Sequence, residues 1–84
     1  MTSQMPNWEG FMIPTLKVLS DGETRHRRDF ERQVADLLQL SEDQRKEVLP
    51  SSGQIRYQNR IGWAVSHLAN VGAVERPKRG HYRI

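Results

Sequence analysis

The longest unbroken helical pattern in this chain, residues 54–71, runs directly into Gly72 and then into two short extended segments around a turn. That succession constrains the fold more than any other feature. On a wheel of about 100° per residue with Ile61 at zero, Ala64, Val65, Leu68 and Val71 fall within about 80° of it and form a buried stripe. Gly72 stands where a helix C-terminus needs a left-handed residue. Residues 73–76 and 81–84 read as strands, with Tyr82 and Ile84 on one face. Between them Pro77-Lys78-Arg79-Gly80 supplies a preset φ and a permissive glycine, which makes a hairpin turn.

Upstream, Asn7 is a cap for a first helix in which Trp8, Phe11, Met12, Leu16 and Leu19 recur at helical spacing. Pro14 implies either a kink or the start of the regular part of that helix. Asp21-Gly22 ends it, and a short extended piece, residues 23–26, leads to a second helix. That helix, residues 27–38, carries an apolar stripe of Phe30, Val34, Leu37 and Leu38. Ser41 followed by Gln44 has the form of a capping box and opens a brief third helix, closed by Pro50-Ser51-Ser52-Gly53. Helix, extended piece, helix, helix and hairpin is the order of a winged helix-turn-helix, mostly α with a small β-hairpin. Residues 54–71 are then its recognition helix and 77–80 its wing tip.

Composition narrows the function. At 84 residues the chain is expected to be one domain, burying only about 60–65 % of the surface its unfolded form exposes. No cysteine is present, which excludes disulfides, thiolate zinc sites and a cysteine nucleophile and suits the cytoplasm. The N-terminal stretch MTSQMPNWEGFM lacks the basic start and apolar run of a secretory leader, and no apolar run is long enough to span a membrane. His26, His67 and His81 lie on separate elements, so no metal site is expected; no phosphate-cradling glycine loop is present, and no cofactor is implied. No glutamate is followed two residues later by lysine, so a metal-dependent nuclease signature is missing as well. The chain alone is expected to be catalytically silent.

Net charge is +3, but it divides unevenly: residues 1–53 sum to −2 and residues 54–84 to +5. A cationic C-terminal part favours a polyanionic partner. The side of the 54–71 helix opposite its core stripe collects Arg56, Asn59, Trp63, Ser66, His67 and Asn70, with Arg60 on the flank. Amide and guanidinium groups can make paired hydrogen bonds to base edges in a major groove, and apolar groups can meet pyrimidine methyls. Tyr57, Gln58, Asn59, Arg60, Trp63 and His67 are therefore candidate base readers, and Lys78, Arg79 and His81 candidate phosphate contacts on double-stranded DNA. Arg25, His26, Arg27 and Arg28 form a second cationic run at the start of the second helix, a weaker candidate for phosphate. Trp63 has two readings, filling a gap in the domain or facing the ligand. The alternative from another class is a protein-interaction or dimerisation module anchored on that tryptophan.

The stretch Ser52-Gly53-Gln54-Ile55-Arg56-Tyr57-Gln58-Asn59-Arg60-Ile61-Gly62-Trp63-Ala64, continued by Leu68, Gly72 and Lys78-Arg79-Gly80, resembles the N-terminal domain of Mrr-family restriction endonucleases. Pro14 to Asp21-Gly22, the Arg25–Arg28 run and Leu40-Ser41-Glu42 extend the likeness over nearly the whole chain. The resemblance implies a winged helix placed ahead of a PD-(D/E)xK nuclease domain, in enzymes that cut DNA carrying methylated adenine or cytosine. No nuclease half is expected within these 84 residues, the last of which, Ile84, is read as part of the last wing strand. N6-methyladenine and 5-methylcytosine both project their methyl into the major groove, which would give Trp63 or Tyr57 an apolar group to touch.

Overall fold

The structure is a computed structural model that describes residues 5–84. The first four residues, part of the stretch read above as lacking a leader, lie outside it. Trp8–Phe11 form a 3-10 turn capped by Asn7, whose Oδ1 accepts from the Gly10 amide at 3.1 Å. Helix α1, Met12–Val18, follows without a break. Pro14 sits in its first turn, the part of a helix that tolerates proline. Strand β1 is Arg25–His26, α2 Arg27–Leu37, α3 Glu42–Lys46, α4 Arg56–Asn70, β2 Glu75–Lys78 and β3 His81–Arg83.

The three strands form an antiparallel sheet in the order β1-β3-β2. Arg25 pairs with Tyr82 and His26 with His81, so the extended piece before α2 becomes an outer strand laid on the hairpin. The pairing of β2 with β3 is irregular between Glu75 and Lys78. Pro77, which has no N–H to offer a ladder, sits in that irregular part, on the edge strand. The hairpin is shifted from the expected one: Pro77 and Lys78 belong to β2, leaving Arg79 and Gly80 to turn the chain, with Gly80 at φ +77°. This is the wing of a winged helix, the fold expected from the order of elements.

The capping box of α3 is present: the Ser41 side chain accepts from Gln44 N–H, and Gln44 Oε1 accepts from Ser41 N–H. Helix α4 starts two residues later than its pattern suggests, because Ile55 bridges to Val48 and the Arg56 amide donates to Glu47 O at 2.8 Å. Phe11, Leu19, Phe30, Val34, Ile61, Val65 and Tyr82 meet in one core, with the Phe30 and Tyr82 rings edge to face at 5.5 Å. Burying each large side chain contributes about 1.5–3 kcal/mol against leaving it in water.

Three expected core positions are not buried. Leu37, Val71 and Ile84 are 49 %, 76 % and 47 % exposed. The first two share a cause. Helix α2 ends with Gln39 at φ +55°, its amide bonded to Asp36 O and the Leu40 amide reaching back to Ala35 O. Helix α4 ends with Gly72 at φ +80°, its amide bonded to Ala69 O and the Ala73 amide reaching back to Leu68 O. This paired closure folds the chain back over the last turn. Leu40 and Val74, both buried, fill the core beside these helix ends while Leu37 and Val71 stay outside. Ile84 lies past the last residue of β3, beyond the sheet that buries Tyr82.

Candidate nucleic-acid interface

Seen down its axis, α4 divides into four sides. Tyr57, Ile61, Ala64, Val65 and Leu68 face the core. Arg60 and His67 face the N-terminal segment: Arg60 Nη1 donates to Pro6 O at 2.6 Å and to Met5 O at 3.3 Å. The His67 ring lies on Trp8 with centroids 4.3 Å apart and planes 13° from parallel. Desolvation in that seat holds the Arg60 pKa below its ordinary value. Gln58 and Gly62 face α2, where Arg27 Nη2 donates to Gln58 O at 3.0 Å. A methyl at Gly62 would overlap the Arg27 guanidinium, so the glycine clears a path for that side chain across the helix. What remains is a narrow outward strip of Asn59, Trp63, Ser66 and Asn70, spaced at three and four residues.

Trp63 is 56 % exposed, so it does not fill a gap in the domain. Asn59 Nδ2 donates to Gln54 Oε1 at 2.9 Å, which steadies its amide. Asn59, Trp63 and Ser66 of the strip form one wall of an open groove of about 810 Å³ between α4 and α2, with Gly80 of the wing turn on its lining. Arg28 and Arg32 line the groove from α2, and Gln58, Asn59, Trp63 and Ser66 from α4.

The candidate residues thus separate. Gln58, Asn59 and Trp63 come together on the groove. Tyr57 also lines it but is 92 % enclosed within the core cluster, and Arg60 and His67 are engaged with the N-terminal segment. Lys78 and Arg79 are exposed on the wing and form no salt bridge among the described residues. His81 is half-buried at the wing base, its Nδ1 3.0 Å from Arg79 O and its ring at 5.1 Å, edge to face, from His26.

The Arg25–Arg28 run is mostly tied down. Both Arg25 terminal nitrogens bond Asp21 carboxylate oxygens, at 2.7 and 2.6 Å, and this pairing holds the Asp21 carboxyl far below the usual range. His26 caps α2, its Nδ1 accepting from the Arg28 amide at 3.1 Å. Arg27 Nε donates to Glu31 Oε2 at 2.7 Å; Glu31 is buried, and desolvation pushes its carboxyl up despite that partner. Among the described residues, Arg28 is the member of the run left without such a partner.

Two cations escaped the sequence reading. Arg32 stands one helical turn beyond Arg28 on the same face of α2, a spacing a wheel of that helix would have revealed. Arg76 lies exposed on β2. Among the described residues, no group of three or more histidine, aspartate or glutamate side chains could hold a metal ion, and no helix is long and apolar enough to cross a membrane.

The family model for the Mrr N-terminal domain matches residues 8–84. Among curated proteins, the Type IV methyl-directed restriction enzyme EcoKMrr of Escherichia coli (strain K12) is 35 % identical over 79 residues, covering 93 % of this chain. The matched part is 26 % of that protein, so this chain spans about a quarter of its relative's length. No solved structure gave a significant match. With almost the whole chain matched, this protein belongs to the Mrr N-terminal domain family.

Proposed function

We propose that this domain binds double-stranded DNA and serves as the targeting module of an Mrr-like restriction system, with the outward strip of α4 in the major groove. The observation that carries the reading is the composition of that strip and its surroundings. Asn59, Trp63, Ser66 and Asn70 point away from the core, while Arg28 and Arg32 on one side and Lys78 and Arg79 on the wing form no salt bridge among the described residues. Free cations that bracket a polar helix face suit two phosphate backbones flanking a groove. Asn59 and Gln58 read base edges in this scheme, adenine being the natural partner of a carboxamide. Trp63 supplies an apolar surface for a base methyl. Tyr57, Arg60 and His67 act from behind, by holding α4 in place.

The Escherichia coli relative is described as methyl-directed. Carried to this chain, that description makes N6-methyladenine or 5-methylcytosine in duplex DNA the ligand, and the nuclease step belongs to a partner domain C-terminal to this one. The test is binding of the 84-residue chain to matched duplexes carrying no methyl, N6-methyladenine or 5-methylcytosine, across a salt series. The expected result is salt-dependent binding to all three, tighter for one methylated form. Asn59→Ala is expected to flatten sequence discrimination by about 1–3 kcal/mol at the contacted base pair. Indifference to every duplex at low salt, with a protein ligand retained at high salt, would overturn the reading in favour of a protein-interaction module.

A further inference from the structure

Trp63 is the last of three rings in series. Trp8 lies flat on His67, and the His67 centroid is 6.5 Å from that of Trp63, with the planes 34° apart. The series starts at the N-terminal 3-10 turn, which Arg60 ties to α4 through the Met5 and Pro6 carbonyls. Of the three rings only Trp63 lines the groove. An indole carries one N–H donor and no acceptor, so most of what it can offer a base is its face. Bases inside an intact duplex show only their edges to a groove; their faces are covered by neighbouring pairs.

The groove beside Trp63 also differs from a flat duplex-reading surface. It is open to solvent, and its volume of about 810 Å³ leaves room for one nucleotide. Its walls carry hydrogen-bonding side chains next to the indole, Gln58, Asn59 and Ser66, and two cations on the opposite side, Arg28 and Arg32. The one carboxylate there, Glu31, is bound by Arg27 and does not repel a phosphate as an unpaired one would. An aromatic platform beside polar groups and facing cations is the chemistry that holds an unstacked nucleotide.

We propose that the α2–α4 groove is a site for a single unpaired nucleobase in DNA, stacked on Trp63, with its flanking phosphates on Arg28 and Arg32. The inference rests on the duplex-binding reading above and deepens it: α4 docks in the groove, and a base that leaves the stack is captured beside it.

The test compares, at one salt concentration, binding of the chain to a perfect duplex and to the same duplex with one bulged nucleotide. The bulged form is expected to bind about tenfold tighter, in line with the strength of one base–aromatic stack. Trp63→Leu is expected to bring that ratio to about 1, and Trp63→Phe to retain part of it. Since Trp63 is exposed, neither change touches the core, and unchanged thermal unfolding checks this. Equal binding of the two DNAs by the unsubstituted chain would overturn the site while leaving the duplex reading intact. A preference that survives Trp63→Leu would overturn it too, since a bulge also makes DNA easier to bend. Failure to bind either DNA would remove both readings.

Discussion

Two runs of the chain carry cations at the same density, residues 25–28 and residues 76–79, and the fold treats them in opposite ways. In the first, Arg25 is clamped on Asp21, His26 caps α2, and Arg27 is fixed between Glu31 and the Gln58 carbonyl. In the second, Arg76, Lys78 and Arg79 extend from a hairpin with no internal partner among the described residues. Charge counts alone cannot separate a scaffold from a binding surface. What separates them is whether each cation already has an acceptor.

The largest effect expected from breaking this contrast is at Arg27. Arg27→Ala leaves a buried carboxylate without its partner, and should destabilise the fold by about 2 kcal/mol, below the usual range for a fully buried pair because Arg27 is itself partly exposed. Its pH dependence has a definite sign. Burial raises the Glu31 pKa, so the residue's contribution to stability is greatest at low pH and falls as pH rises through the raised value. Arg27→Ala removes the main opposing influence and should steepen that fall, whereas Glu31→Gln should abolish it. Thermal unfolding from pH 4 to 8 measures both.

The wing should respond in the other way. Lys78→Ala with Arg79→Ala is expected to leave stability within about 0.5 kcal/mol, as surface changes do, and to lower the log–log salt slope of duplex binding by about 2. Arg25→Ala should leave that slope where it is. A slope unmoved by the wing pair, or reduced by Arg25→Ala, would invert the comparison. Arg28→Gln is the intermediate case: a member of the first run that behaves like the second, expected to lower the slope by about 1.

How far such distinctions could be read beforehand depends on the range of the interactions involved. Helix α4, its buried stripe from Ile61 to Leu68, the Ser41–Gln44 box and the presence of a wing are set by residues within a few positions of one another and are legible in the chain, whereas the exposure of Val71 and the exact turn of the wing are not. The partition of α4's outer side is not. Arg60 and His67 sit on that side by periodicity, and only the return of Met5, Pro6 and Trp8, more than fifty residues earlier, takes them out of it. Strand β1 is two residues long and owes its existence to Tyr82 and His81. Gln39 adopts a left-handed backbone with none of the glycine that usually announces one, which hid the fold-back that buries Leu40 and exposes Leu37.

Gly62 gives the smallest effect and the sharpest one in sign. Mid-helix glycine is ordinarily unfavourable, by about 0.5–1 kcal/mol relative to alanine. Gly62→Ala should therefore stabilise α4 if the residue were merely tolerated. Here the added methyl meets the Arg27 guanidinium, which must leave Gln58 O and with it some of its grip on Glu31. The substitution is thus expected to be neutral or destabilising by up to about 1 kcal/mol. In an Arg27→Ala background the obstacle is gone, and the same Gly62→Ala should stabilise by about 0.5–1 kcal/mol. That reversal is a coupling between two residues 35 positions apart in the chain, measurable by a double-mutant cycle. If Gly62→Ala stabilised both backgrounds equally, Arg27 would not be held across α4. Arg27 would then be released from the Gln58 carbonyl, while Arg25 stayed on Asp21 and His26 on the α2 cap.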